Sequence, residues 1–205
     1  MSITDKELIE KSLSGDYIAF EELIHKYENK VYTVAYRFMG NHADACDLAQ
    51  EAFIKMYQAL PKFRGDSSFM TWIYHITANV CRDELRRRQK KQTLSLDDDS
   101  DDNVAPKFTI ASDEPGPEEI IESLELSTQV QQCLNMLSED YRLILIMREI
   151  QGLSYDEIAE TMNISLGTVK SRLSRARSVF KEKITPILEQ STTRPRQTNR
   201  ERMIL

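Results

Sequence analysis

Residues 63–91, FRGDSSFMTWIYHITANVCRDELRRRQKK, join an apolar, aromatic face to a basic end on a single helical pattern. Phe69, Trp72, Ile73, Ile76 and Val80 recur at steps of three and four, the spacing of one helix face. Thr71, Tyr74, His75, Thr77, Ala78 and Asn79 are expected to fill the other faces. Ser67 or Ser68 is placed to cap the start, and Arg64-Gly65-Asp66 after Pro61 breaks the chain before it. From Arg82 onward come Arg82, Arg86, Arg87, Arg88, Lys90 and Lys91 against Asp83 and Glu84. A core helix with a solvated end explains the stripe. It does not explain six bases in ten residues, which repel one another unless an anion is near. Phosphate is the expected anion, and a short amide such as Asn79 can read the edge of an unpaired base.

Working outward, the rest of the chain repeats the helical pattern. Thr4 with Glu7 makes a capping box for a short first helix, and Gly15-Asp16 ends it and caps the next. The second helix is expected over 17–39, with Phe20, Leu23, Ile24, Tyr27, Val31, Val34, Ala35 and Phe38 on its apolar face and Gly40 at its stop. A third, 44–60, carries a seam of Leu48, Ala52, Phe53, Met56 and Leu60 opposite polar Asp47, Gln50, Glu51, Lys55 and Gln58. That polar face suits either solvent or a protein partner.

From Thr93 to about Glu119 the composition turns to Asp, Ser, Pro and Gly, with Pro106, Pro115 and Pro117 expected to block helix. The net charge is −6, but residues 97–125 hold eleven acids against Lys107, about −10, which leaves about +4 elsewhere. Helical pattern then resumes near Ile120, runs through Leu137, restarts at Ser138-Glu139-Asp140 and stops at Gly152. Ser154 with Glu157 caps a helix over 155–162. The turn Asn163-Ile164-Ser165 separates it from a last helix ending near Ile184. This is the pattern of a helix-turn-helix. On the last helix Lys170, Arg172 and Arg175 lie off the Val169, Leu173, Ala176 and Phe180 seam, with Thr168, Ser171 and Ser174 among them. That end of the motif enters the major groove.

Several classes are disfavoured. Cys46, Cys81 and Cys133 are isolated within apolar patterns and read as reduced thiols, and His25, His42 and His75 have no ligand spacing, so no metal site is assigned. No phosphate-binding glycine loop or nucleophile motif is seen; no catalytic residue and no cofactor are expected. The absence of a signal peptide or a run of ~20 apolar residues predicts a cytoplasmic protein without membrane insertion. The fold expected is all-α: two small helical domains joined by an acidic flexible linker, with 1–93 the first domain, 94–119 the linker, 120–188 the second domain and 189–205 a basic tail.

The stretches GDYIAFEELIHKYENKVYTVAYRFMGN and DLAQEAFIKMYQALPKFRGDSSFMTWIYHITANVCRDELRRR resemble region two of the extracytoplasmic-function sigma factors, and LSEDYRLILIMREIQGLSYDEIAETMNISLGTVKSRLSRAR is similar to their region four. The two resemblances stand in the family's order. They imply an initiation subunit that is not an enzyme, with core RNA polymerase, promoter DNA and an anti-sigma factor as partners. Polymerase contacts would fall on Asp47, Gln50, Glu51, Phe53 and Lys55. The −10 element would be melted and held by Phe63, Arg64, Gly65, Asp66, Ser67, Ser68, Trp72, Asn79, Arg82 and Arg86. The −35 duplex would be read by Thr168, Lys170, Ser171, Arg172, Ser174 and Arg175. The resemblance also implies that Asp97, Asp98, Asp99, Asp101 and Asp102 thread the channel that RNA later occupies. The rival reading is a stand-alone helix-turn-helix transcriptional regulator, under which residues 63–91 would have no role.

Overall fold

Asp16 sets the second helix: its carboxylate accepts from the Ile18 and Ala19 amides at 3.0 and 3.2 Å, satisfying donors that a helix start leaves free. A computed structural model describes residues 4–94 and 117–193, all of whose regular elements are helical. Helices α1 (Asp5–Leu13), α2 (Tyr17–Met39), α3 (His42–Ala59) and α4 (Phe69–Leu94) form the first half, with a 3₁₀ turn at Leu60–Lys62. The second half is α5 (Pro117–Asn135), α6 (Glu139–Leu145) running into a π-type turn over Ile146–Ile150, α7 (Tyr155–Met162) and α8 (Leu166–Thr193).

The first half is organised by α2. Leu23, Tyr27, Val31, Val34, Ala35 and Phe38 are buried along one face, and Ala45, Leu48, Ala52 and Met56 of α3 and Phe69, Ile73 and Val80 of α4 are buried with them. Each fully buried Leu, Ile or Phe contributes roughly 1.5–3 kcal/mol. Gly40 ends α2 at φ 88°, and Asn41 caps α3 by accepting from the Asp44 amide at 2.9 Å. The two expected capping boxes, Thr4 with Glu7 and Ser154 with Glu157, both form. In the second half, Leu143, Ile144, Ile146 and Met147 are buried all round, with Ile158, Met162, Val169 and Leu173. Asn163, at φ 53°, makes the left-handed turn between α7 and α8.

Thr71, Tyr74, Thr77 and Ala78, on the faces beside the seam, are buried as well, and the second half packs against this side of α4. The Tyr74 hydroxyl donates to Gln151 Oε1 at 2.5 Å and the Thr71 hydroxyl to Glu157 at 3.4 Å. Pro117 opens α5 instead of blocking it, since the first helical position has no amide bond to lose. Helix α8 continues past Ile184, through Pro186, to Thr193; proline there removes the one bond to the residue four before it. The acidic run Asp97–Asp102 and the end of the chain, 194–205, lie outside the described residues.

The two halves share a buried junction. Arg142 of α6 donates through Nη1 to the Phe38 carbonyl in the last turn of α2 at 2.5 Å, and through Nη2 to the Asn135 carbonyl at 2.7 Å. A cation there complements the carbonyl end of α2. Arg37 and Gln131 exchange bonds alongside, Arg37 Nη1 donating to Gln131 Oε1 at 3.3 Å and Gln131 Nε2 to the Arg37 carbonyl at 3.1 Å.

Candidate nucleic-acid interface

Helix α3 turns its seam into the core and leaves a stripe outside. Asp47, Gln50 and Glu51 are exposed as expected, and Lys55 pairs with Glu51 at 2.8 Å. Phe53 is partly buried against the core. The stripe also holds two residues that the polar pattern did not single out: Ile54 and Tyr57 are 58% and 48% exposed. Both are large apolar residues lying off the buried seam, which is a signal present in the sequence. The Tyr57 ring meets Phe20 edge-on at 4.9 Å. A mixed apolar and acidic stripe of this kind fits a protein partner better than it fits solvent.

The loop over 63–68 is set by the 3₁₀ turn before it and the cap after it. The Phe63 amide bonds the Leu60 carbonyl at 3.1 Å, Gly65 takes φ 74°, and Ser68 Oγ accepts from the Thr71 amide at 3.0 Å. Of the two candidate caps Ser68 is the one used. Arg64, Gly65, Asp66 and Ser68 are exposed and Ser67 is half-buried. Phe63 lies 4.9 Å from Trp72 and 5.5 Å from Phe69 between ring centroids, so the loop is pinned to α4 by an aromatic cluster that stays partly open at Phe63 and Trp72. About two turns beyond Trp72, Asn79 is exposed, with its amide nitrogen 3.3 Å from a ring nitrogen of His75. Burial, and then the charge of Arg82, hold His75 below the ordinary imidazole range. Its ring is therefore neutral at neutral pH and keeps an acceptor to orient Asn79.

The basic end of α4 is less free than its composition implies. Arg82 pairs with Asp140 at 3.2 Å, Arg86 with Asp83 at 3.9 Å, Arg87 with Glu84, and Arg88 with both Asp44 and Glu84. Acids distant in sequence thus supply part of the anionic charge expected from phosphate. Arg86 and Arg87, with exposed side chains, and the exposed Lys90 remain open to an external anion.

Helix α8 divides its residues cleanly. Val169, Leu173 and Ala176 are buried, while Lys170, Ser171, Ser174 and Arg175 are exposed together on the opposite side. Ser165 Oγ accepts from the Thr168 amide at 3.1 Å, and the two hydroxyls lie 2.8 Å apart. Thr168 therefore serves the cap as well as the surface. Arg172 is turned aside from this group, with Nη1 2.7 Å from Asp140 Oδ2. The exposed set presents two cations and two hydroxyls, a combination that can meet phosphates and base edges. Among the described residues no helix is long and apolar enough to cross a membrane, and no group of three or more His, Cys, Asp or Glu is placed to hold a metal.

Comparison with known proteins gives the same division. Residues 23–91 match the family model described as Sigma-70 region 2, and residues 127–178 the one described as Sigma-70, region 4. The RNA polymerase sigma-H factor of Pseudomonas aeruginosa is 37% identical over 91% of this chain and 97% of its own length. The ECF RNA polymerase sigma-E factor of Escherichia coli K12 is 38% identical over 91% and 97%. Among solved structures, the sigma factor RpoE bound to the anti-sigma factor NepR from Bartonella quintana has a TM-score of 0.64 at 23% identity, covering 80% of this chain and 94% of that one. CnrH bound to the cytosolic domain of CnrY gives 0.62 at 23%, covering 91% and 97%. These two share the fold.

Proposed function

The chain belongs to the extracytoplasmic-function sigma factors of RNA polymerase, and from that membership we propose how its parts divide the work of an initiation subunit. Residues 1–93 hold core polymerase and open the −10 element, and residues 120–188 read the −35 duplex. The α3 stripe of Asp47, Gln50, Glu51 and Ile54 docks on polymerase. Phe53 supports it from beneath, and Lys55 fixes Glu51.

Strand opening falls to the loop 63–68 and the exposed side of α4. An unstacked base gains roughly 1–3 kcal/mol on an aromatic platform, for which Trp72 and Phe63 are available, and Asn79 offers an amide to its edge. Arg64, Arg82 and Arg86 take the flanking phosphates. Asp66, Ser67 and Ser68, with the Gly65 turn, shape the pocket. Duplex reading falls to Lys170, Ser171, Ser174 and Arg175, with Thr168 and Arg172 beside them.

The observation that carries this reading is that an aromatic, amide-bearing helix for exposed bases and a helix-turn-helix for duplex occur on one chain. Neither alone requires the other; initiation requires both. The subunit itself performs no chemistry, and by analogy with the complexes named above an anti-sigma protein is a further partner. The test is to mix the chain with core polymerase and sequence the transcription starts it selects. A set of promoters sharing −10 and −35 elements is expected. Sequence-specific duplex binding without any polymerase-dependent starts would replace this reading with a stand-alone regulator.

A further inference from the structure

Asp140 stands in the first turn of α6, and its two carboxylate oxygens are taken by arginines from the two halves of the molecule. Oδ1 lies 3.2 Å from Arg82 Nη2 of α4, and Oδ2 lies 2.7 Å from Arg172 Nη1 of α8. The Arg82 side chain is 16% exposed in this position. A carboxylate held between guanidinium groups uses the same charge-assisted bonds as a phosphate. The contacts beside it complete a seal: Gln89 donates to Glu139 at 3.0 Å, Tyr74 to Gln151 at 2.5 Å and Thr71 to Glu157 at 3.4 Å. The second half thereby packs along one side of α4, at Thr71, Tyr74, Arg82 and Gln89, and leaves Asn79 and Arg86 exposed.

This arrangement is incompatible with a promoter. The −35 and −10 elements are, by their own numbering, about 25 base pairs apart, or roughly 85 Å at about 3.4 Å per pair, whereas Arg82 and Arg172 meet on one side chain. The chain allows the halves to part: α4 ends at Leu94 and α5 begins at Pro117, and a segment of that length spans up to about 80 Å. The junction is also of a kind that opens. Its centre is polar, with Arg142 buried on backbone carbonyls and its Nε without a partner among the described residues, and polar interfaces between domains of one chain resemble transient ones.

We propose that Asp140 is a self-masking latch: in the free chain its carboxylate stands in for promoter phosphate, draws Arg82 and Arg172 together, and keeps both arginines from DNA until the halves are separated. This rests on the assignment of Arg82 and Arg172 to DNA given above. It adds a closed state that belongs to the chain alone.

Small-angle scattering of the free full-length chain reads closure without DNA. Asp140→Asn keeps the size of the side chain and its place in α6 while removing the charge; Tyr74→Phe loosens the same junction without changing any charge. Both are expected to raise the radius of gyration. Both are also expected to raise affinity for a fluorescent single strand, taken from the −10 region of a promoter mapped with the holoenzyme, by about fivefold, since masking lowers apparent affinity by the competent fraction. Circular dichroism checks that helicity is native, and if Asp140→Asn loses it, Tyr74→Phe decides alone. An unchanged radius in the folded variants overturns the latch. So does an expanded chain that binds the strand no better than wild type. Adding Arg82→Ala to Asp140→Asn should abolish the gain; if the gain persists in a chain that scattering shows to be open, the assignment of Arg82 to DNA fails and the masking with it, while closure through Asp140 stands.

Discussion

The Arg88 guanidinium of α4 donates to Asp44 Oδ1 at 2.5 Å, joining the basic end of the helix to the first turn of α3, and its Nε donates to Glu84 at 2.8 Å. Burial works to raise both carboxyls, and the bonds from Arg88, with Asn41 on Asp44 and Arg87 on Glu84, outweigh it and hold both below the ordinary carboxylate range. Groups depressed in the folded state stabilise it above their unfolded pKa, near 4, and lose that contribution as pH falls through the folded values.

Arg88→Ala should therefore destabilise the first half. A charge-assisted bond is worth about 1.5–3 kcal/mol when shielded, and because the Arg88 side chain is 42% exposed the loss should be nearer to about 1 kcal/mol. Urea midpoints at about pH 7 should show it, and at about pH 3, with both carboxyls approaching protonation, the gap between variant and wild type should narrow. A gap that stays constant with pH would refute the pairing as its source.

How much of this was legible in the sequence depends on range. Local rules placed α2 between Asp16 and Gly40, both capping boxes, and the Phe69–Val80 seam, because each is decided within one or two turns. The partners of the basic run were not legible: Asp44 and Asp140 lie 44 and 58 residues from the arginines they meet, and composition cannot say which distant acid folds back. For the same reason the partner of Tyr74, 77 residues away at Gln151, has no signal in the sequence around it. Pro117 was over-read, since proline excludes a helix only where its amide or its ring has something to disturb. Ile54 and Tyr57 were visible as apolar residues off the seam, a signal that a search for polar contacts passes over.

Gly40→Ala tests the hinge between α2 and α3. An added Cβ would meet the Asn135 side chain, with Nδ2 at 2.6 Å and Oδ1 at 2.9 Å, at a φ of 88°. Gly15 has φ 94° and open space around it, so Gly15→Ala bears backbone strain alone, about 1 kcal/mol. Gly40→Ala should cost more, because Asn135 is already held by Gln131 Nε2 at 3.0 Å and must move. Thermal midpoints of the two variants give the comparison; equal losses would mean that Asn135 yields freely.

Polymerase docking should depend on the apolar residue as much as on the acids. Asp47→Ala with Gln50→Ala and Glu51→Ala is expected to weaken binding to core polymerase, and Ile54→Ser alone by about tenfold, the equivalent of roughly 1.4 kcal/mol and within the range for one apolar anchor. Because Ile54 is exposed in the free chain, its thermal midpoint should hardly change. Fluorescence titration of labelled chain with core polymerase measures both sets. Equal affinity in wild type and the Ile54 variant would remove this face from the interface.

Duplex reading and strand opening should fail separately, because they use different physics on opposite halves of the chain. Lys170→Ala with Arg175→Ala removes two cations from the exposed face of α8, where one good base-edge pair is worth roughly 1–3 kcal/mol; closed-complex formation should fall by about ten- to hundredfold, with a shallower salt dependence as fewer counterions are released. Asn79→Ala leaves that face untouched. It also leaves the aromatic cluster of Phe63, Phe69 and Trp72 in place, so stacking survives. What goes is the amide that His75 orients, and with it part of what offsets the few kcal/mol needed to unstack a base. Gel shift of holoenzyme on a mapped promoter should then look near normal, while permanganate reactivity of thymines in the −10 region drops. Normal melting by the Asn79 variant, or normal binding by the Lys170 and Arg175 variant, would break the division of labour between α4 and α8.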